Sequence, residues 1–555
     1  MDWSLGTQPI CCLIGPGDSA KTTILDAVEA ALSPRWITFT EADFHQADTQ
    51  HELSIEVTIT ELSRSLLSDE RFGLFLRGLA PDGALNDEPN DEDEPALTVR
   101  LSVDATMEPV WSLVCDRYPV PRILSNRDRA LFGLVRLAGE EARHLTWAQG
   151  SVLSKMTDST DDAAQRLADA YRQARQSANL GSIEALAEAS GKAERLAKAL
   201  GAYVSTSYAP DLELGRGGFN SGAIALHDGA VPLRLAGLGT RRLATLAIQR
   251  SSIEEGAIVL VDELEQGLEP HRILGAMAQM RKWQSEAAAA SRPQGQILMT
   301  THSDVVLSEL PAEALYVMRM AAAGVADIRH ATDGGDVARI LLHSPRAFFG
   351  RRILLCEGAT ELGLMLGLRE HFPARHDGIP VEHRGVAIID GHGSAGPPLA
   401  AALGALGYPV ALFRDSDRAL TARSRRSLEE AGVWVIEYGN GLNTEQALLT
   451  AADDRQVDEL FAVMRQMLDP ATHYAQLREA FPLVDDVTAS FDLWDEWGLW
   501  ASRNMDVGNL AVAMKWFKSE AKGRAIASIV SDIVRTNAAA PLARCLLAVE
   551  RWLYE

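Results

Sequence analysis

Four carboxylates in the C-terminal half of the chain are spaced as ligands of a divalent cation would be. Glu357 and Glu361 are four residues apart, so if the predicted helix starts at the turn after Glu357, both side chains lie on one face at its N-terminal end. Asp415 and Asp417 follow a second apolar run. Four carboxylates at one point would repel each other strongly unless a hard cation, Mg²⁺ or Mn²⁺, neutralised them. The pattern therefore predicts a metal site.

Buried strands are predicted to position these acids. Arg351–Cys356 and Val410–Phe413 are short apolar runs, typical of a parallel sheet covered on both faces. Open α/β sheets place ligands beyond the carboxyl ends of their strands. Gly385–Asp390 is predicted to end at the same edge, which makes Asp390 a candidate ligand. Glu445 begins a later helix, and it is either a further ligand or a charge that compensates the helix dipole.

A Glu-Gly step after one strand (Glu357, Gly358) and Asp-x-Asp after a later one (Asp415, Asp417) form an ordered pair of motifs. This arrangement resembles the Toprim domain of topoisomerases, DnaG-type primases and OLD-family nucleases. The alternative is a set of solvated surface acids on an ordinary flavodoxin-like domain. The order of the two motifs, each after an apolar strand, favours the Toprim interpretation.

The N-terminus carries a phosphate-binding pattern. Pro9–Ile14 is a predicted strand, Ile24–Leu32 is a predicted helix, and the residues between them are close to G-x-x-x-x-G-K-[ST]. Lys21 would reach the β- and γ-phosphates of ATP, and Thr22 would offer its hydroxyl to Mg²⁺. The other predicted phosphate contacts are Gly15, Gly17, Asp18, Ser19 and Thr23. Ala20 replaces the second glycine of the motif, and its methyl group predicts a weaker ATP site.

Three further patterns follow the phosphate loop along the chain. A Gly-rich turn with Gly237 and Gly239 opens a predicted helix that carries Arg241 and Arg242. The strand that ends at Asp262 places that residue as a Mg²⁺ ligand, and Glu263 next to it as the base that polarises the attacking water. His302 follows the predicted strand Gln296–Thr301.

This series of motifs resembles ABC-type ATPase heads and covers residues 1–345. The resemblance implies that two heads sandwich ATP, each facing the signature turn of its partner. It therefore implies a homodimer, or a tetramer or larger assembly, with Gly237 and Gly239 as signature residues. His51–Leu62 and Ala96–Val103 are expected to be strands of the head, joined by an acidic loop at Asn86–Pro95. Arg127–Leu200 is expected to be helical, within an insertion at about residues 127–205.

Bulk properties limit the remaining choices. With 555 residues the chain is too long for a single core. It has no 18-residue apolar run and no basic leader, and its five cysteines are scattered apart from the adjacent Cys11 and Cys12. These features together predict a cytoplasmic protein without a membrane span. The formal charge of −23 argues against a generally basic surface, although a local basic groove remains compatible with it.

The C-terminal part, residues 346–555, ends with a basic cluster within Met514–Val530. An ABC-type head with a helical insertion, followed by a Rossmann-like Toprim domain, resembles the OLD-family nucleases. In that family a Lys-Gly stretch supplies a lysine to the active site. The resemblance implies this role for Lys522, with Lys518 as the second choice. The alternative is an ordinary basic helix start.

The OLD resemblance implies an ATP-regulated, metal-dependent DNA endonuclease or nickase of anti-phage defence, with a partner protein of the defence system. A Toprim ribonuclease, for example one that cleaves transfer RNA, and a non-cleaving ATP-dependent sensor or repair clamp are the alternatives. Strand passage is not expected, because the nine tyrosines lie in no evident winged-helix unit. Primase activity is not expected either, because the chain has no C-x₂-C pair for a zinc module.

Overall fold

The computed structural model describes residues 3–6, 8–68, 71–137, 145–147, 151, 153, 180–212, 224–251, 258–290, 295–320, 324–332, 334–467, 511–512 and 515–555. The chain folds into two compact units. The first comprises Met1–Ile14, Ala20–Leu310 and Ala314–Tyr316, and the second comprises Gly15–Ser19, Pro311–Glu313 and Val317–Glu555. Within the described ranges, no helix is both long enough and apolar enough to cross a membrane.

The strands of the first unit are β1 (Ile10–Ile14), β2 (Leu53–Ile59), β3 (Arg77–Leu79), β4 (Leu85–Asn86), β5 (Glu94–Val103), β6 (Pro109–Cys115), β7 (Tyr118–Ile123), β8 (Leu134–Leu137), β9 (Tyr208–Leu212), β10 (Ile224–Asp228), β11 (Val231–Pro232), β12 (Ile258–Val261) and β13 (Gln296–Thr300). Its helices are α1 (Lys21–Leu32), α2 (Asn126–Arg129), α3 (Glu184–Ala199), α4 (Leu238–Ser251), α5 (Pro270–Ala289) and α6 (Asp304–Ser308). Short 3₁₀ turns lie at Glu41–Asp43, His45–Ala47, Gly73–Phe75, Ala130–Phe132, Leu180–Ser182 and Leu233–Leu235.

A parallel sheet holds the first unit together. β13 pairs with β1 on one side and with β12 on the other, so that Leu298 lies opposite both Cys11 and Leu260. β12 also pairs with β8. β1 is buried along its whole length, as expected for a strand covered on both faces. Because all four strands run parallel, their carboxyl ends meet at one edge, where Asp262 follows β12.

A second, antiparallel sheet is centred on β5, which pairs with β2, β3 and β6. The strands predicted at His51–Leu62 and Ala96–Val103 are present as β2 and β5. The acidic loop predicted at Asn86–Pro95 is shorter than expected, because β4 includes Asn86 and β5 begins at Glu94. The buried side chains of this sheet pack with the end of α1 into one apolar cluster.

The expectation that Arg127–Leu200 is helical is wrong at β8, which pairs in parallel with β12. Leu134–Leu137 is a short apolar run, and the Ala-, Arg- and Glu-rich composition of its surroundings hid it. The expected helix is present at α3. Much of the proposed helical insertion, including residues 138–144 and 154–179, lies outside the described residues.

The unit boundary falls within β14 (Leu315–Met320). The strands that follow are β15 (Ala326–His330), β16 (Arg352–Cys356), β17 (Val386–Asp390), β18 (Val410–Arg414) and β19 (Trp434–Glu437). The helices are α7 (Gly334–His343), α8 (Ala359–Leu368), α9 (Gly396–Ala405), α10 (Ala422–Glu430), α11 (Thr444–Ala451), α12 (Asp454–Met467), α13 (Glu520–Ala525), α14 (Ala527–Thr536) and α15 (Pro541–Tyr554). Short 3₁₀ turns lie at Ala312–Ala314, Pro345–Phe349, Phe372–Arg375, Val381–Arg384 and Gly393–Ala395.

The second unit is a three-layer α/β arrangement. Its sheet has the strand order β17-β16-β18-β19, and all neighbouring strands are parallel. α9 packs on β16 and β18, with α7 and α10 beside it. On the other face, side chains of β16 and β18 share one apolar core with α8, α11, α12, α14 and α15. The predicted strands therefore form a single sheet, with the acid-bearing turns at its carboxyl edge.

Candidate functional site

Glu357 and Asp415 meet at the carboxyl edge of the second unit's sheet. Glu357 follows β16, Asp415 follows β18, and these strands are neighbours. The main-chain N–H of Asp415 donates to Oε2 of Glu357 at 3.1 Å. The Arg414 guanidinium lies 3.7 Å from the same oxygen and 3.0 Å from Glu437. The Glu357 carboxylate is therefore held against the Asp415 turn.

Asp415 is in an electrostatically unfavourable position. Its burial, the carboxyl group of Asp417, and the negative charges of Glu357 and Glu361 raise its pKa well above the ordinary value. Its Oδ1 atom is buried and has no hydrogen-bond partner among the described residues. A cation among these carboxylates would remove the repulsion and satisfy the unpartnered oxygen.

Glu361 is buried more deeply than the sequence pattern suggested. Its Oε2 accepts a hydrogen bond from the main-chain N–H of Gly358 at 3.1 Å, which caps α8, and its Oε1 accepts one from the Thr444 hydroxyl. Burial raises the pKa of Glu361 to about 7, although the Thr444 hydrogen bond opposes the shift. Both oxygens are thus already engaged by donors of the protein itself.

Two further candidate ligands differ in their placement. Glu445 lies in the first turn of α11, and its buried Oε1 has no hydrogen-bond partner among the residues the structure describes. Burial raises the pKa of Glu445, while the charge of Lys518 lowers it and that of Asp417 raises it. Asp390 ends β17, and its carboxylate accepts from the main-chain N–H of His392 at 2.8 Å. Asp390 therefore bonds within its own loop, whereas Glu445 lies with the other acids. We call this set the acid group; its members are Glu357, Glu361, Asp415, Asp417 and Glu445.

The donor set suits a divalent cation, because hard carboxylate oxygens are the ligands that Mg²⁺ and Mn²⁺ prefer. Within the described ranges, however, no three His, Cys, Asp or Glu side chains are grouped closely enough to hold a metal ion as they stand. The unpartnered oxygens of Asp415 and Glu445 are the atoms that fit this role. Ligation would therefore require the acid side chains to close around the ion.

The C-terminal lysines approach the acids through a close helix crossing. Lys518 is the lysine whose charge acts on Glu445, whereas the Lys522 amine donates to the main-chain oxygen of Lys515 at 3.4 Å. A Cβ on Gly523 would lie 2.5 Å from the Thr360 main-chain oxygen, and one on Gly363 would lie 2.1 Å from that of Glu520. These glycines let α13 and α8 touch backbone to backbone.

In the first unit, Asp262 is a junction of polar contacts. Its Oδ1 accepts from the Thr22 hydroxyl at 3.2 Å and from the Thr300 hydroxyl at 2.6 Å. Lys21 and Thr22 are the first residues of α1, and Lys21 is buried. The main-chain N–H of Glu263 donates to the Thr300 hydroxyl at 2.9 Å. Asp262 and Thr22 are therefore close enough to share a nucleotide-bound Mg²⁺.

The phosphate-loop residues have unusual backbone angles. Gly15 has a φ of 145°, and a Cβ there would lie 2.2 Å from the Met318 main-chain oxygen. Asp18 and Ala20 have φ values of 59° and 64°, in the left-handed region.

The remaining predicted phosphate contacts have ordinary surroundings. Ser19 donates to the Pro16 main-chain oxygen at 2.9 Å, and Gly17 has open space where a Cβ would be. Thr23 is exposed on α1.

Glu265 has a role at this edge that was not predicted from the sequence. Its Oε1 accepts from the main-chain N–H of His302 at 2.5 Å, and its Oε2 accepts from the Thr301 hydroxyl at 2.7 Å. Glu265 therefore ties the turn after β12 to the turn after β13, which carries His302. The third acid of the sequence Asp262-Glu263-Leu264-Glu265 was the available signal.

Two arginines have roles in the structure that were not predicted from the sequence. Arg242 is buried, and it donates to the main-chain oxygens of Asp262 and Glu263 and, at 2.8 Å, to Gln266. Arg136, at the end of β8, lies 3.5 Å from Asp262, and it also pairs with Asp26 at 2.6 Å and Glu29 at 3.2 Å. Both arginines therefore support the Asp262 turn, and Arg242 is buried and not on a solvated face of its helix.

The glycines of the predicted signature turn lie at the start of α4. Gly237 immediately precedes the helix, and a Cβ there would meet nothing within 4 Å. Gly239 is in the first turn, and a Cβ there would lie 2.4 Å from the main-chain oxygen of Gly267. Gly239 therefore has a packing role within its own chain, and the surroundings of Gly237 are open.

Two family models match the chain. Residues 144–308 match the model described as "AAA domain, putative AbiEii toxin, Type IV TA system". Residues 348–417, which contain Glu357, Asp415 and Asp417, match the Toprim domain of proteins like the overcoming lysogenization defect (OLD) protein. This is the domain pair of an OLD-family ATPase–Toprim fusion. The ATPase and Toprim domains imply, in general, the use of a nucleotide and a divalent metal.

Several solved structures are similar at low sequence identity. An SMC head bound to the C-winged helix domain of ScpA has 14% identity, covers 59% of this chain and 91% of that chain, and has a TM-score of 0.32. An SMC head domain from Thermotoga maritima has 14% identity, with 57% and 89% covered and a TM-score of 0.26. RecF of the RecFOR pathway has 12% identity, with 59% and 93% covered and a TM-score of 0.30. No curated protein matches the chain.

Proposed function

We propose that this ATPase–Toprim fusion is an ATP-regulated, divalent-metal-dependent DNA endonuclease or nickase that acts in anti-phage defence. The observation that carries the proposal is the approach of two carboxylates from different strands. Oε2 of Glu357 accepts from the main-chain N–H of Asp415 at 3.1 Å, and the Asp415 carboxyl has a buried oxygen without a hydrogen-bond partner among the described residues. Carboxylates in this state suit a cation-dependent phosphodiesterase.

The proposed ligands of the first metal are Glu357, Asp415 and Asp417. A second metal would take Glu445 and Glu361, with Asp390 as the remaining candidate. The metals, when bound, would stabilise the attacking and leaving oxygens of the phosphodiester. Arg414 holds Glu357 in place from within the sheet. Lys518, with Lys522 as the alternative, would offset negative charge on the scissile phosphate.

In the ATPase domain, we propose that Lys21 and the loop residues bind the ATP phosphates, with Thr22 and Asp262 at its Mg²⁺. Glu263 would orient the attacking water, and His302, positioned by Glu265, would face the γ-phosphate. We propose domain ranges of 1–345 and 346–555. Gly237 would face the nucleotide of a second head, so that ATP binding controls a homodimer or a larger assembly. We also propose that the protein acts with a partner protein of the defence system and that it is located in the cytoplasm.

The test is incubation of the full-length protein with supercoiled plasmid and with transfer RNA, with and without ATP and Mn²⁺. We expect nicked or linear plasmid that depends on Mn²⁺ and changes in amount with ATP. Glu357→Ala should abolish the product. Glu370→Ala is the matched control, because Glu370 is an exposed acid just beyond the other end of α8.

If the protein cleaves transfer RNA and not plasmid, its substrate is RNA and the proposal for DNA is wrong. Cleavage that persists at full rate in Glu357→Ala would remove the site assignment. A wild-type protein that cuts neither substrate in any condition would leave an ATP-dependent sensor as the better description.

A further inference from the structure

Arginines are concentrated where α10 begins. Arg418, Arg423, Arg425 and Arg426 lie within nine residues, whereas the helix ends with Glu429 and Glu430. The chain as a whole has a formal charge of −23. A local group of four positive charges is therefore a marked departure from the rest of the molecule.

The charges on α10 are the reverse of those that stabilise a helix. The positive end of the helix dipole is at the N-terminus, so acids are favourable in the first turn and cations in the last. α10 has no acid in its first turn and no basic residue in its last. Each misplaced charge lowers the stability of the helix. Helix stability therefore does not explain why the arginines are at this end.

The arginine side chains are available to a ligand. Arg418, Arg423 and Arg425 are exposed, and none forms an ion pair with any residue that the structure describes. Arg426 pairs with Glu430 at 2.9 Å. The helix N-terminus is already capped, because the Thr421 hydroxyl accepts from the Ser424 main-chain N–H at 3.1 Å. The exposed guanidinium groups, and not the main-chain N–H groups, are thus the donors that a ligand can reach.

The arginines lie at the same edge of the sheet as the acid group. β18 ends at Arg414, Asp415 and Asp417 follow directly, and α10 starts at Ala422. Hydrogen bonds anchor the segment between them to the sheet edge. Arg414 donates to the Arg418 main-chain oxygen at 2.7 Å, and the Ser416 hydroxyl donates to that of Gly439 at 2.7 Å. Arg418 therefore follows the acids on a fixed turn.

We propose that Arg418, Arg423 and Arg425 form a surface that binds the phosphate backbone of the nucleic acid and guides it to the acid group. This inference rests on the proposed nuclease function, which it extends to how the substrate is held. Guanidinium groups match phosphate geometry with paired donors, and contacts to phosphates position a duplex without reading its sequence. A protein with a large negative charge needs such a local surface to overcome its repulsion of DNA.

The test measures binding of a fluorescein-labelled DNA duplex to the full-length protein by anisotropy, in EDTA so that no cleavage occurs. The salt concentration is varied between roughly 50 and 200 mM, because each phosphate contact adds about 0.9 to the slope of log affinity against log salt. Arg423→Ala/Arg425→Ala should lower the slope by about 1.8. Arg423→Lys/Arg425→Lys keeps both charges and should keep the slope. Arg551→Ala, at an exposed arginine in the last turn of α15, is the remote control.

The double alanine variant should unfold at a temperature no lower than wild type, because it removes cations from the positive end of a helix dipole. Lost binding in a variant of undiminished stability would therefore support the surface. An unchanged slope in the double alanine variant, or an equal loss in Arg551→Ala, would overturn it. If plasmid is cleaved normally while the slope does not change, this inference fails and the proposed function stands. If the slope falls as expected but the wild type cuts no nucleic acid, the binding surface stands and the nuclease function fails.

Discussion

The main-chain amide of Asp415 donates to Oε2 of Glu357 at 3.1 Å. The Glu357 carboxylate therefore both belongs to the acid group and fixes the turn that carries Asp415. These two roles are separable by mutation. In Glu357→Gln the side-chain oxygen still accepts the hydrogen bond, but the charge is lost. We expect near-normal stability, much weaker Mn²⁺ binding by calorimetry, and no cleavage. Equal Mn²⁺ affinity in wild type and variant would contradict the assignment.

The burial of Glu361 predicts a pH-dependent stability in the metal-free protein. The folded protein keeps this group protonated up to a pKa of about 7, while its ordinary value is 4.5. Folding therefore takes up a proton between these values, and the free energy of unfolding should fall as the pH rises from about 4.5 to about 7. The contribution of Glu361 to this fall is on the order of 3 kcal/mol. Denaturant unfolding in EDTA measures it.

Glu361→Gln removes one titrating group and should make the fall smaller, while the raised pKa values of Asp415 and Glu445 keep the remainder. Mn²⁺ bound among the acids should do the same in the wild type, because a cation favours the ionised carboxylates. A stability that rises with pH over this interval, or one that Glu361→Gln leaves unchanged, would show that the buried carboxyl does not control it.

Ala20 predicts a stabilising substitution. Its φ of 64° is in the left-handed region, which costs a residue with a Cβ about 1 kcal/mol or more and costs glycine little. Ala20→Gly should therefore raise the free energy of unfolding by about 1 kcal/mol, and calorimetric ATP affinity should rise if bound ATP needs the same angle. Ala27→Gly, in the middle of α1, is the matched control and should lower stability by a similar amount. Equal effects of the two variants would refute the strain.

The two C-terminal lysines should differ in their effect on cleavage. The charge of Lys518 acts on Glu445, whereas Lys522 is bonded to the Lys515 main chain. We expect Lys518→Ala to reduce the cleavage rate about 100-fold or more, as is typical when one group that stabilises transition-state charge is lost. Lys522→Ala should have a smaller effect. The reverse order of rates, at equal stability, would return the role to Lys522.

The crossing of α8 and α13 predicts opposite results for two Gly→Ala changes. A Cβ on Gly523 would lie 2.5 Å from the Thr360 main-chain oxygen, whereas one on Gly275, within α5, would meet nothing within 4 Å. Gly523→Ala should destabilise the protein by about 1–3 kcal/mol, because the helices must separate. Gly275→Ala should stabilise it by about 1 kcal/mol. Thermal unfolding compares the two, and a neutral Gly523→Ala would mean that the crossing adjusts without strain.

Local patterns predicted the second unit well. The predicted runs Arg351–Cys356, Gly385–Asp390 and Val410–Phe413 are strands of one parallel sheet, because short apolar runs with acidic or glycine-rich ends indicate buried strands clearly. The matching family models confirm an ATPase domain followed by a Toprim domain. Glu445 could be proposed only as one of two alternatives, because its burial depends on helices far away in the sequence.

Contacts between distant segments explain what the sequence did not predict. β8 is four residues in an Ala- and Arg-rich stretch, and only its pairing with β12 makes it a strand. Arg136, Arg242 and Glu265 are ordinary charged residues by type, and their roles come from turns that lie more than a hundred residues away or across a strand end. The choice between Lys518 and Lys522 likewise depends on how α13 crosses α8.

The guanidinium of Arg136 has a consequence for the resting molecule. It lies against Asp26, Glu29 and Asp262 at once, so the acid proposed for the nucleotide's metal already has a counter-charge before any ligand arrives. Arg136 therefore places a positive charge 3.5 Å from Asp262, and Asp262 shares that charge with Asp26 and Glu29. We expect nucleotide release to leave this domain folded, and thermal unfolding with and without ATP would measure that.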